Sequence, residues 1–183
     1  MNSLKLIPWK NNSCAFDSVL VFIHFINKLY PDINIEKFIK NNKFSPLVQN
    51  YTIELLKSLT EINYDQSTLI AIRDLIYDEI KMFIKFQRPN DDPENAALVI
   101  NAVLGFDLDD STLNLGHGLF IITSGNIFTY KDVYIEIKEN SPLAIIGNNH
   151  HFVASYLGKY YDSLHENNEY DDYDVYIQLI RFE

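Results

Sequence analysis

Residues 14 to 30 form the segment around which any fold of this chain has to be built. If this segment is helical, its large apolar side chains surround most of the helix instead of forming one stripe. These positions are Phe16, Val19, Leu20, Val21, Phe22, Ile23, Phe25, Ile26 and Leu29. A helix that is apolar on nearly every side belongs inside a core. The rest of the chain is therefore expected to pack around it, and Pro31-Asp32 predicts its end.

The composition supports one globular domain spanning residues 1–183. The chain is 47% hydrophobic and 14% aromatic, which is enough apolar material for a real core at this length. We find no internal repeat and no linker that would divide the chain. No uninterrupted apolar stretch is long enough to span a bilayer, so the sequence predicts no membrane insertion.

The periodicity of apolar residues predicts helices in the first half of the chain and strands in the second. Further helices are predicted at 35–41, 45–60, 67–86 and 93–104, the last with Asp92 as its N-cap and Pro93 in its first turn. Strands are predicted at 119–123, 128–137, 143–146, 152–157, 160–161 and 175–182, with a turn at Gly158-Lys159. A helical part of about 14–105 and a sheet part of about 115–183 predict an α+β fold.

Cys14 is the only cysteine, and it lies where a polar segment gives way to the apolar helix. With Ser13 as N-cap, Cys14 would occupy the first turn, where free N–H groups and the helix dipole stabilise a thiolate. The alternative is a small buried apolar residue, the more common role of a lone cysteine. A single cysteine excludes an internal disulfide and a cysteine-rich zinc site.

A histidine and an acid in the sheet region complete the pattern of a thiol hydrolase. His151 opens an alternating strand, and Asp162 lies near the end of the returning strand. Cysteine, distant histidine and nearby acid is a chain order in which the histidine takes the thiol proton and the acid orients the ring. His150 stays open as the base at this point, because adjacent strand residues face opposite ways. Ser163 and Asp172 are weaker substitutes for Asp162.

Short motifs around these residues resemble a known family. Trp9-Lys10-Asn11, followed by Cys14-Ala15-Phe16-Asp17-Ser18, resembles the cysteine box of ubiquitin-specific proteases, in particular the branch related to the SUMO isopeptidases. His151-Phe152-Val153-Ala154, followed by Tyr160-Tyr161-Asp162-Ser163, resembles the histidine box of that family. A weaker similarity covers Asp91 to Ala96 and the family's Asp-Ala-x-Glu-Phe segment.

The resemblance implies a papain-like fold, with an N-terminal helical lobe packed on a C-terminal antiparallel sheet. It implies a cysteine peptidase that cleaves ubiquitin or a ubiquitin-like modifier after its C-terminal Gly-Gly. It favours His151 over His150, because the family's histidine directly precedes an aromatic residue, as His151 does. It also places Asn11 in the oxyanion hole beside the backbone N–H of Cys14. Asn12 is the alternative, because the usual position five residues before the cysteine is Trp9 here.

Charge and composition limit the partners and the compartment. The formal net charge of −10 argues against nucleic acid and suits a basic partner, such as the Arg-containing tail of a ubiquitin-like protein. We expect a monomer without cofactor or metal, in a reducing intracellular compartment, cytoplasmic or nuclear. Heavy use of Asn, Ile, Lys and Tyr is typical of AT-rich genomes, including viral ones, and a viral protein would act in the host cell.

Two alternatives to the hydrolase stay open. A catalytically inactive module could keep the fold and bind the modifier. The same triad could instead carry out another acyl transfer, such as transglutamination, deamidation or cleavage of plain peptides.

Overall fold

Five α-helices lie in the described part of the chain. The computed structural model describes residues 4–61, 63–88, 95–123, 142–148, 150–164 and 169–181. The helices are α1 (Cys14–Leu29), α2 (Ile35–Lys40), α3 (Pro46–Ser58), α4 (Gln66–Gln87) and α5 (Ala96–Val103). The side chains of Asn34, Ser45, Asp65 and Asn95 cap α2 to α5 by accepting from backbone N–H groups of the first turn.

One predicted helix start is wrong in detail, whereas the start of α1 at Cys14 after Ser13 is confirmed. Helix α5 begins at Ala96 with Asn95 as its cap, and not at Pro93 after Asp92; those two residues lie outside the described part. Ser13 occupies the N-cap position of α1, but its side chain makes no capping hydrogen bond. Its hydroxyl donates to the buried carboxylate of Asp17, one turn further along the helix. A hydrogen bond to a carboxylate is stronger than one between neutral groups.

The strands in the described ranges form one antiparallel sheet. They are β1 (Thr112–Gly116), β2 (Leu119–Thr123), β3 (Leu143–Gly147), β4 (Phe152–Tyr156), β5 (Lys159–Tyr161) and β6 (Asp174–Arg181). Their order in the sheet is β1-β2-β6-β3-β4-β5, and all neighbours pair antiparallel. Helices followed by an antiparallel sheet confirm the predicted α+β class.

The sheet also corrects two sequence predictions. Strand β1 was not predicted, although Leu113 and Leu115 alternate with polar residues and are both buried. The predicted strand 128–137 lies outside the described residues. The β4–β5 turn lies one residue earlier than predicted, because Tyr156 pairs with Lys159 and leaves Leu157-Gly158 as the loop. Both loop residues have positive φ, 50° and 77°, as a tight two-residue hairpin requires.

Helix α1 lies in the core, as its apolar surface predicts. It packs against β3 and β4 on one side and against α3 and α5 on the other. The Phe25 ring stacks on Tyr156 at 4.4 Å and contacts Tyr161 at 5.2 Å, which joins the helix to the β4–β5 hairpin. Full burial of a side chain such as Phe25 contributes roughly 1.5–3 kcal/mol to folding. This packing joins the C-terminal half of α1 to the hairpin. Among the described residues, no helix has both the length and the apolarity to cross a membrane.

Candidate active site

Cys14 is the first residue of α1 and is buried, with 4% of its surface exposed. The loop before it turns sharply, with Asn11 and Asn12 at φ 55° and 58°. Asparagine tolerates this left-handed conformation better than most residues. The Ser13 hydroxyl accepts from the Lys10 N–H at 3.2 Å and donates to Asp17 Oδ2 at 2.7 Å. These bonds fix the backbone that leads into the thiol.

The histidine is positioned by a side-chain turn just before β4. The Asn148 side-chain oxygen accepts from the backbone N–H groups of His150 at 2.8 Å and His151 at 2.9 Å. The Asn148 N–H in turn donates to the His151 carbonyl at 3.0 Å. This turn leaves His150 exposed and His151 buried. The imidazole that points into the protein is therefore that of His151.

Asp162 follows β5 and lies against His151. The distance from His151 Nε2 to Asp162 Oδ1 is 2.7 Å. The same carboxylate accepts from the Leu164 N–H at 2.9 Å and from the Tyr170 hydroxyl at 2.8 Å. Of the two predicted substitutes, Ser163 is hydrogen-bonded to Asp17, and Asp172 is exposed. The structure thus gives His151 an acid at the position that the sequence favours.

The thiol, the imidazole and the carboxylate form one electrostatic unit. Burial lowers the pKa of His151, but hydrogen bonds to Asp162 and to Cys14, together with their negative charges, outweigh it and raise the pKa to about 9. Because Nε2 is engaged by Asp162, the ring nitrogen that remains for the thiol is Nδ1. Burial raises the pKa of Asp162, but its hydrogen bonds from His151, Leu164 and Tyr170 hold it below its usual value. Such an arrangement can hold a proton on the imidazole beside the Cys14 sulfur.

A buried arginine contacts the loop of residues 8–13 that leads to Cys14, which we call the cysteine loop. Arg73, on α4, is fully buried and donates to the Pro8 carbonyl at 2.6 Å and to Asp17 Oδ1 at 3.2 Å. Its Nε and Nη2 both donate to Asp74 Oδ1 at 3.2 Å. Burial raises the pKa of Asp17 to about 6, against the opposing effects of the Arg73 charge and the hydrogen bonds from Ser13 and Ser163. The start of α1 is thereby tied to α4.

The same loop is tied to the segment that follows Asp162. The Trp9 N–H donates to the Ser163 carbonyl at 3.0 Å, and the Ser163 side chain is hydrogen-bonded to Asp17. One buried network therefore touches the loop that carries Cys14 and the residue next to Asp162.

The structure gives Asn11 a partner on α4. Its side-chain amide donates to Asp74 Oδ2 at 3.0 Å, at the surface. Asn12 is also exposed. The role of Asn11 in an oxyanion hole stays a prediction, and Asn12 stays its alternative. The backbone N–H of Cys14 is the donor that the position of the thiol itself supplies.

Three residues of this site were missed by the sequence predictions: Arg73, Asn148 and Tyr170. A signal was present for Arg73, which falls in the buried stripe of α4 between Leu69 and Ile76. A charge in such a stripe indicates a buried partner. Asn148 stands shortly before the histidines, where a side chain that hydrogen-bonds its own backbone is a common turn device. Nothing in the sequence identifies Tyr170, because its contact with Asp162 depends on how the loop before β6 folds back.

The described residues contain no group of His, Cys, Asp or Glu that could hold a metal ion. Comparisons with known proteins found no match: no family model, no curated protein and no solved structure is similar to this chain. Functional inference therefore rests on the geometry of the site and on the short motifs that surround it.

Proposed function

We propose that this chain is a papain-like cysteine hydrolase that uses Cys14, His151 and Asp162. The observation that carries the proposal is the buried pairing of His151 with Asp162, with the Cys14 thiol, at the N-terminus of the central helix, near enough to contribute to the raised pKa of His151. A buried histidine that has only a structural role needs one hydrogen-bond partner. A histidine between a carboxylate and a thiol has the connectivity of nucleophilic catalysis.

The proposed reaction follows from these contacts. His151 Nδ1 takes the thiol proton, and Cys14 Sγ attacks the carbonyl carbon of the scissile bond. The backbone N–H of Cys14 donates to the oxyanion that develops. When the tetrahedral intermediate collapses, the C–N bond breaks and the imidazolium gives its proton to the departing amine. A water molecule, deprotonated by His151, then attacks the thioester carbon. The C–S bond breaks, the carboxylate product leaves, and the Cys14 sulfur takes the proton back from His151.

The proposed substrate is the C-terminal Gly-Gly of ubiquitin or a ubiquitin-like modifier, in an isopeptide or peptide bond. The support for this step is the similarity of the cysteine and histidine segments to those of ubiquitin-specific proteases. The net charge of −10 suits a modifier with a basic tail. The free thiol at Cys14 suits a reducing compartment, so we place the activity in the cytoplasm or nucleus, of the host cell if the protein is viral.

A panel of fluorogenic substrates tests the proposal. The protein is assayed with ubiquitin, SUMO and other modifiers linked to the same fluorophore, and with plain peptides, beside Cys14→Ala. Release from at least one modifier, absent in Cys14→Ala, is expected. If fluorophore is released from plain peptides alone, the proposed substrate class is contradicted, but the assignment as a cysteine hydrolase stands.

A second candidate is a catalytically inactive module that binds a modifier. The engagement of the Asn11 amide by Asp74 favours it, because that donor is then held away from a developing oxyanion. Binding of a modifier to both wild type and Cys14→Ala, without turnover by either, would support this candidate.

A further inference from the structure

The acid of the candidate triad has a partner that the proposed reaction does not use. The Tyr170 hydroxyl donates to Asp162 Oδ2 at 2.8 Å. The other oxygen, Oδ1, accepts from His151 Nε2 at 2.7 Å and from the Leu164 N–H at 2.9 Å. Both carboxylate oxygens are therefore held by donors that approach from different directions.

Packing of its ring fixes Tyr170 independently of this hydrogen bond. Its ring centroid lies 4.5 Å from that of Tyr160 and 5.1 Å from that of Tyr173. Tyr170 and Tyr173 also pack on a small apolar cluster on the sheet, away from the main core. Its buried members are Ala144, Ile146 and Val153. The hydroxyl is thus presented to Asp162 by a ring that cannot easily move.

The third donor, the Tyr170 hydroxyl, matters because the rotamer of an Asp side chain does not fix the orientation of its carboxylate plane. The torsion that turns the carboxylate plane is broad and has no sharp minima. Oδ1 stays on His151 only while other contacts stop the plane from turning. Leu164 acts on the same oxygen as His151, so the donor that restrains Oδ2 is Tyr170.

We propose that Tyr170 is a positioning residue, whose hydroxyl keeps the Asp162 carboxylate turned toward His151. The inference rests on the proposed function, since the orientation matters for catalysis only if His151 serves Cys14. Tyr170 touches no reacting atom and acts through Asp162.

Tyr170→Phe tests the inference, with Tyr160→Phe as the matched control. Both variants keep the ring and its stacking, but only the first removes a donor to Asp162. Tyr170→Phe is expected to lower kcat/KM on the best modifier substrate about tenfold through kcat, with KM unchanged. Tyr160→Phe is expected to stay within about twofold of wild type.

Titration of His151 by NMR provides a readout that needs no substrate. In Tyr170→Phe the pKa of His151 is expected to fall toward its ordinary value, because Asp162 spends part of the time turned away. In Tyr160→Phe the pKa is expected to stay raised. In an Asp162→Asn background, adding Tyr170→Phe is expected to leave the pKa of His151 where Asp162→Asn alone places it, because Tyr170 acts through the Asp162 carboxylate.

The outcomes separate this inference from the proposed function. A His151 titration in Tyr170→Phe that matches wild type, or moves upward, would overturn the positioning role whatever the activity. A downward shift in a protein that cleaves no modifier would support the positioning role and contradict the proposed function. If Tyr170→Phe does not fold, Tyr170→Trp, which also lacks the hydroxyl, takes its place. The shift of the His151 pKa in Asp162→Asn is the reference. A Tyr170→Trp protein that shows no part of that shift would overturn the positioning role as well.

Discussion

At the scale of single residues, two adjacent histidines receive opposite environments. His151 is 8% exposed, and its ring bonds to Asp162. His150 is exposed, and the contact that holds it is made by its backbone N–H with Asn148. The turn in which the Asn148 side chain accepts from both backbone N–H groups separates the two roles, because it leaves one imidazole outside and the other buried.

Substitution of each histidine by Ala is expected to separate them in function. His151→Ala removes the proton acceptor of the thiol and is expected to lower modifier hydrolysis by at least about a hundredfold. His150→Ala is the matched control and is expected to stay within about twofold. Initial rates on the fluorogenic substrate check both values. A larger loss in His150→Ala would reverse the assignment.

The charge of His151 is expected to make stability fall as pH rises. Folding raises the pKa of His151 from 6.5 to about 9, so the folded state holds this proton more tightly. The stabilisation is complete below pH 6.5 and is lost as pH rises through about 9. The free energy of unfolding of wild type minus that of His151→Gln should therefore shrink by about 1–3 kcal/mol between pH 6 and pH 10.

Denaturant unfolding of both proteins at the two pH values measures this difference. The subtraction removes other titrating groups, such as Asp17, whose raised pKa also disfavours the folded state as pH rises. A difference that stays constant or grows with pH would contradict the raised pKa of His151.

At the scale of elements, a buried cation connects α4 to the cysteine loop, beside the surface hydrogen bond of Asn11 with Asp74. Arg73 satisfies the Pro8 carbonyl and shares its charge between Asp17 and Asp74. Buried pairs of this kind often contribute little net stability compared with apolar residues. Loss of one partner is different, because it leaves the other charge buried and unpaired. The loop before α1 should thus respond strongly to a change on α4.

Arg73→Met is expected to lower the free energy of unfolding by about 3–5 kcal/mol, since Asp17 and the Pro8 carbonyl then lose their donor. Lys85→Met, at an exposed position of the same helix, is the control and should change it by less than about 0.5 kcal/mol. The double variant Asp17→Asn, Arg73→Met should recover part of the loss, because a neutral amide needs no cation. Urea unfolding measures all three. Equal effects of Arg73→Met and Lys85→Met would contradict the buried network.

The β4–β5 hairpin stores strain at its tip. Leu157 has φ 50° and is 70% exposed, so its side chain gains little burial in return for an unfavourable backbone conformation. Leu157→Asn gives the Asn-Gly pair that such turns prefer and is expected to raise the free energy of unfolding by about 0.5–1 kcal/mol. Leu47→Asn, at an exposed helical position, should bring no gain. Thermal unfolding compares the two, and a loss in Leu157→Asn would show that Leu157 has a packing role.

Local signals account for how well each element could be predicted. Helices α1, α3 and α4 are long or clearly periodic, and α2, α3 and α4 carry Asn, Ser and Asp caps that the sequence displays. Helix α5 was started too early because Asp92-Pro93 is the stronger local signal, whereas the cap that forms is Asn95. Strand β1 was missed because five residues with two leucines give too short an alternation.

At the scale of the whole molecule, the sheet order could not be derived from the chain. The last strand, β6, lies in the middle of the sheet between β2 and β3. Apart from the short β1–β2, β3–β4 and β4–β5 connections, no local pattern says which strands are neighbours. The positions of Cys14, His151 and Asp162 could be predicted, because a helix start, a strand start and a hairpin end are all marked in the sequence. The buried stripe of α4 marks Arg73, but its partners, like the contact of Tyr170 with Asp162, depend on long-range packing.

The long-range packing decides whether the thiol can react. Cys14 is brought to His151 because α1 packs on β4 and because the Asn148 turn directs the imidazole inward. Modifier proteins that carry a C-terminal electrophile test this arrangement directly, with labelling followed by intact mass. The account predicts a single adduct on Cys14 with ubiquitin or a ubiquitin-like modifier, absent in Cys14→Ala and strongly slowed in His151→Ala. No adduct with any modifier, or equal labelling of wild type and His151→Ala, would contradict it.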